Sequence, residues 1–141
     1  MFSHERLMLY LRWALGIVFL WFGVLKLFNT SPSLDLFKAF LPAVLGESQL
    51  FYFVLAVLEI AIGAAFVANK YVRVAVILMI LHLIGETVFV LVTQGFTPRF
   101  PILSLAGELV LKNVVLISAG LFLIVEKAEK SKEVPAKKEK A

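Results

Sequence analysis

The chain has 141 residues, of which 61% are hydrophobic and 17% charged, with a net charge of +4 and no cysteine. Soluble domains are about half apolar and about a quarter charged, so this composition and the mean hydropathy of +0.94 indicate an integral membrane protein. The absence of cysteine excludes disulfides, CxxC redox chemistry and thiolate metal sites.

Four apolar stretches follow one another along the chain, at residues 7–28, 50–68, 71–92 and 102–125. Each is close to the ~20 residues that a helix needs to cross the ~30 Å hydrocarbon layer. The first stretch is long for a signal peptide and no cleavage site follows it, so we expect a retained span. Continuous hydropathy favours helices over the alternating strands of a barrel. The sequence therefore predicts an all-α, four-helix membrane bundle over residues 1–126.

The connections between these spans differ in kind. Only Asn69 and Lys70 separate the second span from the third, which predicts a tight antiparallel hairpin. In the first loop, Ser31 and Pro32 are typical of a helix start, and the apolar segment after them is too short to cross, so we expect a short interfacial helix. Residues 127–141 alternate in charge and predict a charged cytoplasmic tail, a helical extension that fades into disorder.

The basic residues are distributed unevenly between the two ends of the predicted spans. One end has Arg6, Arg12, Lys70, Arg73 and the tail lysines, against Lys26, Lys38 and Arg99 at the other. Under the positive-inside rule, both termini lie in the cytoplasm, which agrees with an even number of spans in the cell membrane. Because the tail lysines are interleaved with glutamates, the positive charge indicates a membrane surface rather than nucleic acid as the partner.

Several ionisable side chains lie within the apolar spans, where one charge at the bilayer centre costs roughly 2.5–3.5 kcal/mol. At a rise of ~1.5 Å per residue, most of them collect between the outer boundary and the midplane. We predict that they form a buried polar cluster and a binding site. Its candidate residues are Lys26, Glu59, His82, Glu86, Glu108 and Lys112.

Spacing within the helices supports this cluster. Glu108 and Lys112 stand four residues apart, as do His82 and Glu86, so each pair shares a helix face. From this spacing and their shared depth, we expect Lys112 to pair with Glu108, Glu86 or Glu59. Structural explanations compete with the functional one. Lys26 and Arg12 fit interface anchors, His82 a packing residue, and Glu108 with Lys112 a structural ion pair. One histidine among glutamates is a weak metal signal, so no metal site is predicted.

Three stretches carry a resemblance to a known family. They are LRWALGIVFLWFGVLKLF in the first span, LEIAIG in the second and FPILSLAGELVLKNVVLISAGL around the fourth. The chain resembles the DoxX-like family of small four-helix membrane proteins, including the branch related to reactive-chlorine-resistance inner-membrane proteins. Glu108 stands where that branch often has arginine, which puts any inherited role for Glu108 in doubt.

The resemblance implies a four-helix bundle and a connection with redox chemistry. Some relatives are the small subunit of a thiosulfate:quinone oxidoreductase, and others associate with superoxide-detoxifying or sulfur-handling partners. We therefore expect a membrane subunit or binding module of a redox or oxidative-stress system, with a quinone or a small sulfur or oxidant species at the polar cluster. In this reading Lys26 and Lys112 anchor the ligand, while His82 and Glu86 handle protons.

Other functions stay open at this stage. A small solute or proton-coupled transporter would also place ionisable groups across helices, and a non-catalytic structural membrane protein would need them only for packing. No soluble catalytic motif is present, so enzymatic activity is left open. Besides the lipid bilayer, the expected partners are an oxidoreductase subunit or further copies of this chain.

The predicted topology can be tested with introduced cysteines, because the chain has none of its own. Thr97→Cys should react with a membrane-impermeant maleimide added from outside, and Ser131→Cys should not. The reverse pattern would overturn the orientation, and reaction of both would overturn the number of spans.

Overall fold

The computed structural model describes residues 3–28, 30, 31, 38, 49–94 and 105–138. These residues form four helices and no strand. The helices are α1 (His4–Leu27), α2 (Gln49–Ala68), α3 (Val72–Gln94) and α4 (Leu105–Lys138). The predicted all-α four-helix bundle is confirmed.

All four helices are long and apolar enough to cross a membrane, over His4–Leu27, Gln49–Ala68, Val72–Val92 and Gly107–Glu129. Helix α1 begins three residues before the predicted first span, because the extended backbone of Ser3 lets its carbonyl accept the amides of Arg6 and Leu7. Polar residues can join a helix at its end without joining the hydrocarbon-spanning part, so hydropathy located the span but not the helix start.

The link between α2 and α3 is as tight as predicted. Asn69 has a φ of 55°, the left-handed conformation that asparagine tolerates at a helix C-terminus. The amide of Lys70 then donates to the carbonyl of Ala65 at 3.1 Å, which closes the end of α2. Tyr71 is also left-handed, at 54°, so α3 begins at Val72, one residue later than the predicted third span.

Helices that neighbour each other in sequence pack against each other, most extensively α1 with α2, then α3 with α4 and α2 with α3; the contact between α1 and α4 is smaller. Glycines explain the close approach of α1 and α2. A Cβ at Gly63 would lie 2.7 Å from both the carbonyl oxygen of Gly16 and the amide of Leu20, and one at Gly23 would lie 2.9 Å from the carbonyl of Ala56. The missing side chains of these three glycines thus allow the two backbones to approach closely.

The apolar core fills the half of the bundle that contains the start of α1 and the α2–α3 turn. Its most buried members are Phe19, Ile62, Phe66, Val76 and Met79. The outward faces are apolar as well: Trp21, Leu111 and Val115 are each more than 60% exposed. Such continuous exposed apolar surface is suited to lipid chains rather than water.

Two sequence predictions fall wholly or partly outside the described residues. The interfacial helix after Pro32 lies there apart from Lys38. Helix α4 continues through Lys138, and the fading of the tail into disorder stays a prediction.

The glycine contact predicts opposite effects at two positions. Gly63→Ala should destabilise the bundle by about 1–3 kcal/mol, because the added methyl group meets backbone that cannot move aside. Gly85→Ala is the matched control: a Cβ there meets nothing within 4 Å, so the change should be neutral or stabilising by up to about 1 kcal/mol. Melting temperatures in detergent check both. Equal loss at the two sites would contradict the close α1–α2 contact.

Candidate functional site

Three helices meet at one carboxylate oxygen. Lys26 Nζ of α1 lies 2.6 Å from Glu59 Oε1 of α2, and His82 Nε2 of α3 lies 2.7 Å from the same oxygen. Exposure of the three side chains is 2%, 5% and 4%. Charge-assisted hydrogen bonds this short are among the strongest polar contacts in proteins. We call these three residues the Glu59 triad.

The direction of the Lys26 side chain shows whether it anchors α1 at the membrane interface or lies in the bundle interior. Lys26 lies in the last turn of α1, where a lysine often reaches out to the interface. Helical side chains lean towards the helix N-terminus, which for Lys26 is the bundle interior. Its ammonium follows that direction to Glu59, so the interface-anchor reading of Lys26 is wrong.

Histidine in the triad acts as a hydrogen-bond donor. A carboxylate only accepts, so the contact requires the proton on Nε2 of His82. The edge of the ring packs against Phe19, with centroids 6.5 Å apart and planes at 66°. The packing role and the polar role of His82 are therefore both present.

A second polar group joins α3 to α4 and is centred on Asn113, which is 1% exposed. Its amide Nδ2 lies 3.0 Å from Glu86 Oε2, 3.1 Å from Thr87 Oγ1 and 3.3 Å from the Leu83 carbonyl. Two amide hydrogens thus serve three acceptors. Lys112 Nζ lies 3.5 Å from the same Glu86 oxygen. We call Glu86, Thr87, Lys112 and Asn113 the Glu86 group.

Lys112 is the most accessible charged member of either group. Its side chain is 27% exposed, against 2% for Glu86. The ammonium also lies 4.5 Å from the ring centroid of Phe22 on α1, a cation–π distance. Lys112 therefore sits where α1, α3 and α4 come together, with a buried carboxylate on one side and an aromatic face on the other.

The predicted residues separate into these two groups, and one stays outside them. His82 and Glu86 both turn inward from α3, as their spacing indicated, but His82 pairs with Glu59 and Glu86 with α4. Glu108 is exposed and makes no ion pair within the described part of the chain. Of the three acids expected as partners of Lys112, the structure brings Glu86 to it and not Glu108, because a buried carboxylate gains more from a cation than an exposed one does.

Sequence reasoning missed Asn113, which makes more polar contacts between helices than any candidate on α4. Its signal was present: an amide in an apolar helix, directly after Lys112. Polar side chains in membrane helices usually face the bundle interior whether or not they carry charge. Only ionisable groups were considered as candidates, so the amide and its acceptor Thr87 were passed over.

Both groups contain buried oxygen atoms that accept no hydrogen bond from the described residues. Glu59 Oε2, Glu86 Oε1 and Asn113 Oδ1 are buried, and none has a hydrogen-bond partner among the described residues. Buried acceptors without donors are costly and uncommon, so each calls for an explanation. A proton or a ligand with hydroxyl groups would satisfy them. No set of three or more histidine and acidic residues suited to a metal occurs in the described ranges.

The family model described as DoxX matches residues 7–93, which is more than half of the chain. The matched region runs from α1 to α3 and includes the whole Glu59 triad together with Glu86. No match was found among curated proteins, and none among solved structures.

The Glu59 triad predicts a rescue between two substitutions. Lys26→Met should destabilise the bundle by roughly 3–5 kcal/mol, because it leaves a buried carboxylate short of its cation. Adding Glu59→Gln removes the uncompensated charge and should recover part of that loss. Melting temperatures of the single and double variants in detergent measure the effect.

Glu108→Gln is the control. Because Glu108 is exposed and forms no ion pair among the described residues, this change should alter the free energy of unfolding by no more than about 0.5 kcal/mol. A double variant less stable than Lys26→Met alone would show that the two side chains are not coupled as a charge pair.

Proposed function

Because this chain belongs to the DoxX family, we propose that it is a membrane subunit or binding module of a redox or oxidative-stress system. A quinone or a small sulfur or oxidant species binds at the two buried polar groups. The observation that carries the proposal is a pair of buried carboxylates, Glu59 and Glu86, each with one oxygen engaged and the other without a partner among the described residues.

A purely structural network would leave fewer groups unsatisfied. Burying charge in a membrane is costly, and a partly satisfied polar network is less favourable than an apolar core. Packing alone would be served better by apolar residues of similar volume. The unused oxygens of Glu59 and Glu86 therefore support a role in which something else, a proton or a ligand, occupies them for part of the time.

The chemistry of the donors and acceptors favours a quinone over a sulfur oxyanion. An anion beside Lys112 would also lie beside the carboxylate of Glu86, 3.5 Å away, which opposes its binding. A quinone is neutral: its carbonyl accepts from an ammonium, and the hydroxyl of its reduced form donates to a carboxylate. Lys112 and Glu86 supply both partners, and the ring of Phe22 adds an aromatic surface.

The access route in this proposal is lateral, from the lipid. Lys112 is partly exposed on the side where α1 and α4 make their smaller contact. A lipid-soluble ligand would reach this side without crossing water. A quinone, once bound, supplies two-electron chemistry that a chain without cysteine does not have in its own side chains.

The protein's residues hold and exchange protons in this scheme. Glu86, whose Oε2 lies 3.5 Å from Lys112 Nζ, offers its unpartnered Oε1 as the acceptor for the proposed ligand. Glu59 and His82 form the second proton-holding pair, with the neutralising charge of Lys26 fixed beside them. Lys26 is thus a positioning residue for Glu59, and Lys112 is the residue that contacts the ligand.

The four spans support a multi-pass membrane protein. The distribution of basic residues supports our proposal that it lies in the cell membrane with both termini, including the tail at 127–141, in the cytoplasm. Electrons exchanged with a quinone need a second redox centre, so a partner oxidoreductase subunit is part of the proposal.

Binding of decylubiquinone to the purified protein tests the proposal. Lys112→Met should weaken binding about tenfold, because it removes a charge-assisted hydrogen bond. Glu86→Gln should weaken binding of the reduced form more than that of the oxidised form, because it replaces the proposed acceptor. Isothermal titration in detergent measures both, alongside the quinone that co-purifies with the wild type.

Glu108→Gln should bind decylubiquinone like the wild type, since Glu108 belongs to neither polar group. If Lys112→Met and Glu86→Gln fold and bind quinone unchanged, the charges are structural. Proton flux in liposomes that depends on Glu59 and His82, without quinone binding, would instead favour a proton-coupled transporter.

A further inference from the structure

A cavity of about 290 Å³ lies at the opposite end of the bundle from the Glu59 triad. It opens between the first turns of α1, the α2–α3 turn and the last spanning turns of α4. Its polar lining comes from Glu5, Arg12, Asn69, Glu126 and Lys127, and apolar side chains of α1, α3 and α4 form the rest. At this volume it approaches the size of ligand pockets.

Arg12 is the unexplained charge in this cavity. Its Nε atom is buried without a hydrogen-bond partner, and its guanidinium makes no ion pair with any residue that the structure describes. A partly buried guanidinium without an ion-pair partner is costly. Its planar set of donors matches the paired oxygens of a phosphate or carboxylate. Glu5 and Glu126 line the same cavity but neither forms an ion pair with Arg12, so its donors are suited to an anionic group from outside the described chain.

The charges around Arg12 are mixed rather than uniformly positive. Lys127 adds a second cation to the lining, while Glu5 and Glu126 add two carboxylates. Glu126 Oε1 also lies 2.6 Å from His4 Nε2. A ligand with only negative charge would meet repulsion from these acids, whereas a ligand carrying both an anion and a cation would match both kinds of side chain.

Exposed aromatic residues indicate how deep in the membrane the cavity lies. Tyr10 and Trp13 flank Arg12 on α1 and are 57% and 43% exposed, and Tyr71 at the α2–α3 turn is 79% exposed. Amphipathic aromatic rings of this kind collect at the level of lipid headgroups. The cavity thus lies at the level of lipid headgroups, and Met8, Leu9, Val72 and Leu123 supply its apolar lining.

We infer that this cavity binds the headgroup of a phospholipid that carries a primary amine, with its phosphate at Arg12 and Lys127 and its ammonium towards Glu5 and Glu126. The site is separate from the proposed quinone site. Arg12 and Lys26 are fourteen positions apart on α1, or ~21 Å at 1.5 Å per residue. The same phosphoethanolamine chemistry also occurs in free O-phosphoethanolamine, but the apolar lining favours the lipid.

Native mass spectrometry of the delipidated full-length protein tests this site. Phosphatidylethanolamine should bind more tightly than phosphatidylcholine, whose methylated amine cannot donate hydrogen bonds, and more tightly than phosphatidylglycerol, which has no amine. O-phosphoethanolamine should bind more weakly than the lipid. Free O-phosphoethanolamine binding as well as the lipid would overturn a lipid site in favour of a soluble ligand.

Arg12→Gln should weaken binding of phosphatidylethanolamine about tenfold through loss of charge-assisted hydrogen bonds. Arg73→Gln is the matched control: Arg73 is an exposed cation at the same end of the bundle but outside the cavity lining, and its loss should change affinity less than twofold. Equal losses in the two variants would show that the lipid responds only to general positive charge.

A measurement on the unaltered protein covers the case in which Arg12→Gln does not fold. Added phosphatidylethanolamine should raise the wild-type melting temperature more than equal amounts of phosphatidylcholine or phosphatidylglycerol, because a ligand stabilises the state that it binds. Equal shifts with all three lipids would overturn the inference.

Discussion

The bundle depends on the oxygen of Glu59 that Lys26 and His82 share. Through this atom, three helices from distant parts of the sequence make short polar contacts within a few ångströms of one another. In a membrane, apolar burial does not drive helices together, so close packing and polar contacts between helices must do so. The glycine contact of α1 with α2 supplies the close packing, and the Glu59 triad supplies the polar contacts.

The same arrangement links stability to the proposed function. A carboxylate held by two donors at one oxygen keeps its position, while its other oxygen stays available. The Glu86 group repeats this pattern on the other side of α3, where Asn113 and Lys112 meet one oxygen and leave the second unsatisfied. Two half-satisfied carboxylates on neighbouring helices are a poor solution for packing and a suitable one for exchanging protons with a ligand.

The four-helix fold could be predicted from the sequence, whereas the pairing of side chains between helices could be predicted only in part. Hydropathy fixed the number of helices, because the bilayer demands about twenty apolar residues per crossing. Pairing was harder: Glu108 lies at favourable spacing from Lys112, yet Lys112 turns to Glu86, because packing between helices, which local spacing does not contain, decides the partner. Asn113 is visible as an amide in an apolar helix, but its three acceptors lie on α3 and cannot be identified from α4 alone.

The order of the buried ion pairs along the chain has a consequence for biogenesis. Lys26 of α1 pairs with α2, Glu59 of α2 pairs with α3, and Glu86 of α3 pairs with α4, so every one of these contacts joins consecutive helices. A ribosome releases helices in that same order. Glu59 and Lys112 therefore find their counter-charges on the segment inserted just before them, and Lys26 and Glu86 each wait for only one further helix.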